Sequence, residues 1–508
     1  MENTFDKYIR ENNIRVLDPP TPYIHPTYIN EEKLFSFLDD LIYNNKKALL
    51  IPDPDPDGLM SCKCFIDTFK YFSFNNYEIW DYKNKEHSVD FEAITYAIEN
   101  KFDYVIVLDV GTNDMVNLNK LDVFGLKSIV IDHHVANYVY DDYPENNVII
   151  NTVMNNRKDA RFLYKLSAGA LTFSLLYKYG SMKKRDLSFL SCYALISLYS
   201  DSVDMSPDYN RSIYYLATSI TSSNLPRFVR DFIGNSVFSR RFIEFTLVPK
   251  VNALFRAEEF GILNKYFFDE SLNTFARNDI LNKVKEIHET ARKMVDRVTD
   301  LVDREVLNNF VIANLSNCNL PDKVNKLYNY TGLIANNLAQ EYSKPCIVLC
   351  DTGYRVKGSF RDLLGRNYLS IFSQFCECGG HQPAFGIHLN YVDVSDFLNM
   401  IRNTVDKKFF IYRLEDNLIV DMNDVTPNVE LLNRIALYNE FAGGELPFAV
   451  VKKRHMMKEL SSYNRDNYRY KWGDLTVESQ CKLVLGSYVK IKPVRSKNLR
   501  LVSYSRGV

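Results

Sequence analysis

A chain of 508 residues exceeds a single hydrophobic core, so roughly two to four domains are expected, and 46% apolar with 25% charged residues excludes a disordered protein. The net charge of −1 excludes an overall polyelectrolyte, though not a local basic patch. No run of about 18 apolar residues occurs, and the polar start MENTFDKYIRENNIR lacks a signal-peptide core, so a cytoplasmic protein with no membrane contact is expected.

Residues 1–45 read as an N-terminal extension: a Pro-rich stretch at 18–26, then a helix predicted over 31–43 with Leu34, Phe35, Leu38, Leu41 and Ile42 at helical spacing. Residues 46–215 alternate strand and helix in the rhythm of a doubly wound, mostly parallel α/β domain. Three apolar runs there end in acids or histidines: KALLIPDPDPDG (47–58), YVIVLDVG (104–111) and SIVIDHH (128–134). Each is predicted to be a buried strand with charge at its C-terminal end, and further strands are expected near Ile79 and Val148. Helices are predicted over 59–72, 168–179 and 186–199, the last running into Ser200-Asp201-Ser202.

Strand C-termini of an open α/β sheet converge on one crevice, so Asp55, Asp57, Asp109, Asp132, His133 and His134 can share a site, with Asp201 as a fourth acidic delivery point. Crowded carboxylates need a compensating cation, and a mixture of Asp and His suits Mn²⁺ or a similar divalent ion. In Asp53-Pro54-Asp55-Pro56-Asp57-Gly58 the prolines oppose helix and ladder pairing, which predicts an extended loop with three carboxylates on one face. The competing interpretation of that loop is a turn or helix N-cap.

Residues 216–308 read as a helical connector, with Val284, Ile287, Met294, Val298 and Leu301 at helical spacing along 282–305. A second, smaller α/β domain is predicted over 309–405, with strands near Phe310, 346–349 and 354–359. Residues 406–508 are rich in strand-like runs. From 452 to 506 basic residues far outnumber acids and are interleaved with Tyr463, Tyr468, Tyr470, Trp472 and Tyr488, a pattern suited to phosphate neutralisation and base stacking on an OB-like β domain. Nine cysteines without a secretion signal argue for reduced thiols, and the pairs Cys62/Cys64 and Cys376/Cys378 are spaced too tightly for the usual zinc hooks.

These residues resemble the DHH phosphoesterase superfamily, in which Asp132-His133-His134 is the naming tripeptide, Asp55-x-Asp57-Gly58 the first motif, Leu108-Asp109 the second and Tyr199-Ser200-Asp201 the fourth. Within it, the segment PKVNALFR (249–256) is similar to the Pro-Arg-x-Asn-Ala-x-Gly-Arg segment of RecJ-type single-strand exonucleases, with Phe255 in place of Gly. Gly358-Ser359-Phe360-Arg361 and Gly379-Gly380-His381 resemble the two motifs of the DHH-associated substrate domain, and residues 439–448 weakly echo a segment of the RecJ tail.

The resemblance implies two divalent ions, Mn²⁺ or Mg²⁺, held by Asp55, Asp57, Asp109, His133 and Asp201, with Asp53 and Asp132 behind them or as alternative ligands. His134 would orient the phosphate or assist proton transfer, and Arg361 would stabilise charge on phosphoryl oxygens. Arg256, Ser359, Arg361, Gly379, Gly380 and His381 would contact the substrate, since an arginine fork and close backbone amides suit phosphodiester oxygens. The implied activity is 5′ to 3′ exonucleolytic hydrolysis of single-stranded DNA, in DNA repair and recombination, and helicase and single-strand-binding-protein partners follow from the resemblance alone.

Two rivals are an oligoribonuclease or cyclic-dinucleotide phosphodiesterase of the same superfamily, and a non-catalytic nucleic-acid-binding replication factor. Against the first stands Ile51, at the position where the smaller superfamily members typically carry a histidine. Against the second stands the retention of candidate ligands at all four motifs.

Overall fold

The computed structural model describes residues 5, 9, 26–82, 87–154, 166–234, 236–316, 326–342, 344–362, 368–381, 384–405, 419–421, 428–441, 448–451, 458–464, 467–479, 489–494 and 500–503. They fall into two compact units, one formed by residues 1–252 with 417–508 and the other by 253–416.

In the first unit, helix α1 (Glu31–Tyr43) buries Leu34, Phe35, Leu38, Leu41 and Ile42, the stripe expected from their spacing. Five strands follow: β1 (Ala48–Pro52), β2 (Tyr77–Ile79), β3 (Tyr104–Leu108), β4 (Lys127–Asp132) and β5 (Asn147–Asn151). They form a parallel sheet of order β2-β1-β3-β4-β5. Strands β1, β3 and β5 are buried at every residue, which is why they read as unbroken apolar runs rather than alternating ones. Leu49, Ile51, Val105, Val107, Val130 and Ile149 pack against α3 (Phe91–Glu99) and α4 (Met115–Val123). Helix α2 (Pro56–Tyr71) packs on β1 and α5 (Ala168–Met182) on β4.

The helix expected over 186–199 is interrupted: a 3₁₀ turn at Ser188–Leu190 precedes α6 (Ser191–Ser200), whose C-cap is Asp201. The same unit contains helix α7 (Val429–Phe441), held by an edge-to-face contact of Phe441 on Tyr214 and by the Tyr199 hydroxyl donating to the Glu440 carbonyl at 3.1 Å. Its remaining strands form a seven-stranded mixed sheet.

The second unit is a six-stranded mixed sheet. Its strands are β6 (Asp303–Val306), β7 (Val311–Asn314), β8 (Cys346–Asp351), β9 (Val356–Arg361), β10 (Glu377–His381) and β11 (Ala384–Leu389), in the order β10-β11-β9-β8-β7-β6. One face is covered by the helices Thr274–Leu301 and Thr331–Tyr342, the other by an aromatic cluster that includes Phe310, Phe360, Tyr368, Phe372 and Phe385. Leu301, expected on the apolar stripe, is the last residue of its helix and is exposed. No helix among the described residues is long and apolar enough to cross a membrane.

Candidate metal centre

The Asp-Pro loop is set by its two ends. The Asp53 amide donates to the Leu108 carbonyl at 2.9 Å, extending the pairing of β1 with β3 by one residue. Asp55 is the N-cap of α2 and its carboxylate accepts from the Gly58 amide at 3.0 Å, with Pro56 at the first helical position. Gly58 must be glycine, since a Cβ there would lie 2.5 Å from the Asp53 carbonyl oxygen.

The three carboxylates do not share a face. Because the helix begins at Pro56, strand-like alternation stops at Asp55, and Asp57 turns to a different set of partners. Its carboxylate accepts from the Ala168 and Gly169 amides at 2.9 and 2.8 Å, at the N-terminus of α5, and from the Ser197 hydroxyl.

Asp109 follows β3 with φ +66°, a left-handed conformation costly for any residue with a Cβ and held here by its amide donating to the Ile131 carbonyl at 2.8 Å. Asp132 ends β4 and is fully engaged. One of its oxygens accepts from the His133 and His134 amides at 2.7 and 3.1 Å and meets His134 Nδ1 at 2.8 Å, while the other accepts from the Thr112 amide at 3.1 Å. Asp132 therefore positions both histidines.

His133 is the point of convergence. Its Nε2 lies 3.3 Å from Asp109 Oδ1, 3.7 Å from Asp57 Oδ2 and 3.7 Å from Asp201 Oδ2. Strand β3, strand β4, the first turn of α2 and the end of α6 thus deliver to one imidazole. Two sets of ligand atoms lie within 4.8 Å of one another around it, Asp57-His133-Asp201 and Asp109-His133-His134. A third set, Asp53-Asp55-His87, takes in a histidine on the loop after β2 that no apolar run or motif marks in the sequence.

The electrostatics fit a cation. Burial, then the charges of Asp201 and Asp55, push Asp57 up to about 8. Burial together with Asp57, Asp55 and Asp53 pushes Asp109 far above the usual carboxylate range, and burial with Asp53 raises Asp55. Burial opposes the charge on His134, yet the hydrogen bond and charge of Asp132 raise that imidazole to about 10. Asp109 Oδ1 and Asp53 Oδ1 are buried and receive no hydrogen bond among the described residues. Acceptors left bare beside further carboxylates and an imidazole form a donor set suited to a divalent cation.

A pH dependence follows. Groups whose folded-state pKa is raised stabilise the fold fully below their unfolded value and lose that contribution as pH rises through the folded value. For Asp57 this window runs from its ordinary 3.8 to about 8. In chelator, Tm is expected to fall steadily between about pH 5 and pH 8, and Asp57→Asn should flatten that slope; excess Mn²⁺ should raise Tm more at pH 8 than at pH 6. Differential scanning fluorimetry across that range checks all three.

In the second unit the predicted phosphate contacts form their own group. The Arg361 guanidinium donates to the Phe360 carbonyl at 2.6 Å and lies so close to the helix start that a Cβ on Gly332 would sit 2.5 Å from Nη2. The Ser359 and Thr331 hydroxyls are 2.8 Å apart. Burial lowers Arg256 to about 10; burial, then the charge of Arg256, lowers Arg361 to about 10. Neither arginine has a carboxylate partner among the described residues. Gly332 and Thr331 were not marked by any motif. Gly379 and Gly380 lie on exposed β10 backbone, and the side chain of His381, which ends that strand, lies outside the described residues.

The aromatic tail is corrected in part. Tyr470 and Trp472 are fully buried and serve as core, because alternate residues of Asn467–Trp472 face inward while Arg469 and Lys471 face outward. Tyr468 is half-buried, and the side chains of Tyr463 and Tyr488 lie outside the described residues. Cys62 and Cys64 are buried free thiols, whereas Cys376 and Cys378 have their sulfurs 3.4 Å apart.

Residues 48–196 match the family model described as DHH family, N-terminal domain. A chain of Bacillus subtilis (strain 168), YorK, is 25% identical over 488 residues, covering 85% of this chain and 79% of its own; it is provisionally named a prophage-derived single-strand DNA-specific exonuclease. The structure resembles RecJ of Thermus thermophilus in complex with Mn²⁺, with a TM-score of 0.73 at 13% identity, over 97% of this chain and 73% of that one. It also resembles an exonuclease RecJ bound to manganese, with a TM-score of 0.58 at 14% identity, over 77% of this chain and 97% of that one. These structural likenesses establish the fold.

Proposed function

We propose, for a chain whose residues 48–196 match the model of the DHH family, N-terminal domain, that the protein is a divalent-metal-dependent exonuclease hydrolysing phosphodiester bonds of single-stranded DNA, in the 5′ to 3′ direction. The observation that carries this reading is the gathering of Asp57, Asp109 and Asp201 within 3.7 Å of His133 Nε2, with Asp109 Oδ1 buried and without a hydrogen bond among the described residues. The choice of single-stranded DNA rests on the name of the Bacillus relative, and the direction on the RecJ resemblance.

Asp57, Asp109, His133 and Asp201, with Asp55 beside them, would hold the metal. Bound there, divalent ions supply Lewis acidity to phosphoryl oxygens and acidify water. Asp132 fixes both imidazoles by accepting their backbone amides. His134, raised to about 10, is cationic near neutral pH and can hold a phosphate oxygen. Arg256 and Arg361, two half-buried guanidinium groups without carboxylate partners among the described residues, offer planar forks to the phosphodiester backbone.

Digestion of 5′-labelled and 3′-labelled single strands in Mn²⁺, Mg²⁺ and chelator tests the proposal. Labelled mononucleotide should appear at once from the 5′-labelled strand and only late from the 3′-labelled one, with none in chelator. Equal rates on duplex DNA, or a preference for dinucleotides over long strands, would refute it.

A further inference from the structure

We infer that His87 is a metal ligand, completing with Asp53 and Asp55 a divalent-cation site separate from the one centred on His133; the inference rests on the metal dependence proposed above. One ligand atom from each of Asp53, Asp55 and His87 lies within 4.8 Å of the other two. His87 Nδ1 is 2.5 Å from Asp53 Oδ2, across 34 residues of sequence. In the tautomer with the proton on Nε2, the Nδ1 lone pair faces this carboxylate, so one ion can take Nδ1 and a carboxylate oxygen of Asp53 together.

A second observation points to a cation. Asp53 is only 2% exposed and its Oδ1 receives no hydrogen bond among the described residues, although it sits beside Asp55 in the same loop. A buried carboxylate oxygen without a donor is poorly solvated, and a cation is the partner that its neighbours favour. Asp55 remains able to ligate while capping α2, since the cap uses one of its oxygens.

Described residues on either side of His87 are anchored. Tyr82 donates to the Asp53 carbonyl at 3.3 Å before His87, and after it the Val89 amide donates to Asp114 and the Trp80 indole to Asp90. Strand β1 offers no nitrogen of its own here: Leu49, Leu50 and Ile51 are apolar and buried. The loop after β2 therefore supplies the imidazole to this side of the Asp-Pro turn, as β4 supplies His133 to the other.

Calorimetric titration of Mn²⁺ into chelator-stripped full-length protein tests this without substrate. Wild type should bind two ions per chain. His87→Ala should weaken one event at least about tenfold and leave the other unchanged, and Asp53→Asn should weaken the same event. The His87 side chain is 54% exposed, so its loss leaves no core cavity; His87→Gln provides a second variant of similar volume. Pulsed electron paramagnetic resonance of the loaded protein should lose one of two ¹⁴N couplings in His87→Ala. If both events and both couplings survive in His87→Ala, His87 is not a ligand and the nuclease reading stands. If wild type binds no Mn²⁺, the nuclease reading itself fails.

Discussion

Asp109→Asn is expected to lower the rate of nucleotide release from single-stranded DNA by about 10³-fold or more, on the scale of several kcal/mol of lost metal-assisted stabilisation. Asp109 supplies the bare buried oxygen nearest His133, and it belongs to the set Asp109-His133-His134. Asparagine is the informative replacement, since it tolerates the left-handed backbone at φ +66° better than alanine does and removes a carboxylate crowded by Asp57, Asp55 and Asp53. The variant should therefore fold at least as well as wild type in chelator. Single-strand affinity, measured by fluorescence anisotropy, should change less than about threefold, because the arginines proposed to carry it are untouched. A wild-type cleavage rate in Asp109→Asn would refute the assignment of this centre.

Arg361→Ala is expected to reduce kcat/KM by about 10- to 100-fold, the range set by losing one charge-assisted contact of roughly 1.5–3 kcal/mol. Its guanidinium is pressed against Gly332 and feels the charge of Arg256, so the fold sets two like charges within reach of each other, with no carboxylate partner for either among the described residues. Such an arrangement costs stability and is useful only to an anion. Hence Tm should rise, by about 2 °C, as activity falls. Arg361→Lys should recover charge but not the planar fork and should remain well below wild type. Loss of Tm together with unchanged cleavage would instead identify Arg361 as a structural residue.

Asp109, Asp132, His133 and His134 were legible in the sequence for a local reason. A strand buried on both faces must be apolar throughout, so the first polar residue after it marks the strand's end, and parallel strands end on one side. Asp201 was legible as the residue that stops an apolar helix. His87 was not, because it ends no such run and meets Asp53 only across 34 residues of sequence. Gly332 was missed for a similar reason, since its lack of a Cβ matters only once Arg361 is brought against it.

The sequence by itself determined the apolar runs of the first sheet, the α1 stripe, the strand-end acids and the pattern of family motifs, because these depend on residue periodicity and on neighbours in the chain. Tertiary structure alone decided that Asp57 parts company with Asp53 and Asp55, that Tyr470 and Trp472 are core, and that Arg361 feels the charge of Arg256. The reason is physical: periodicity sets which way a side chain points from its own element, whereas its charge state, its burial and its eventual ligand depend on groups that arrive from elsewhere in the chain.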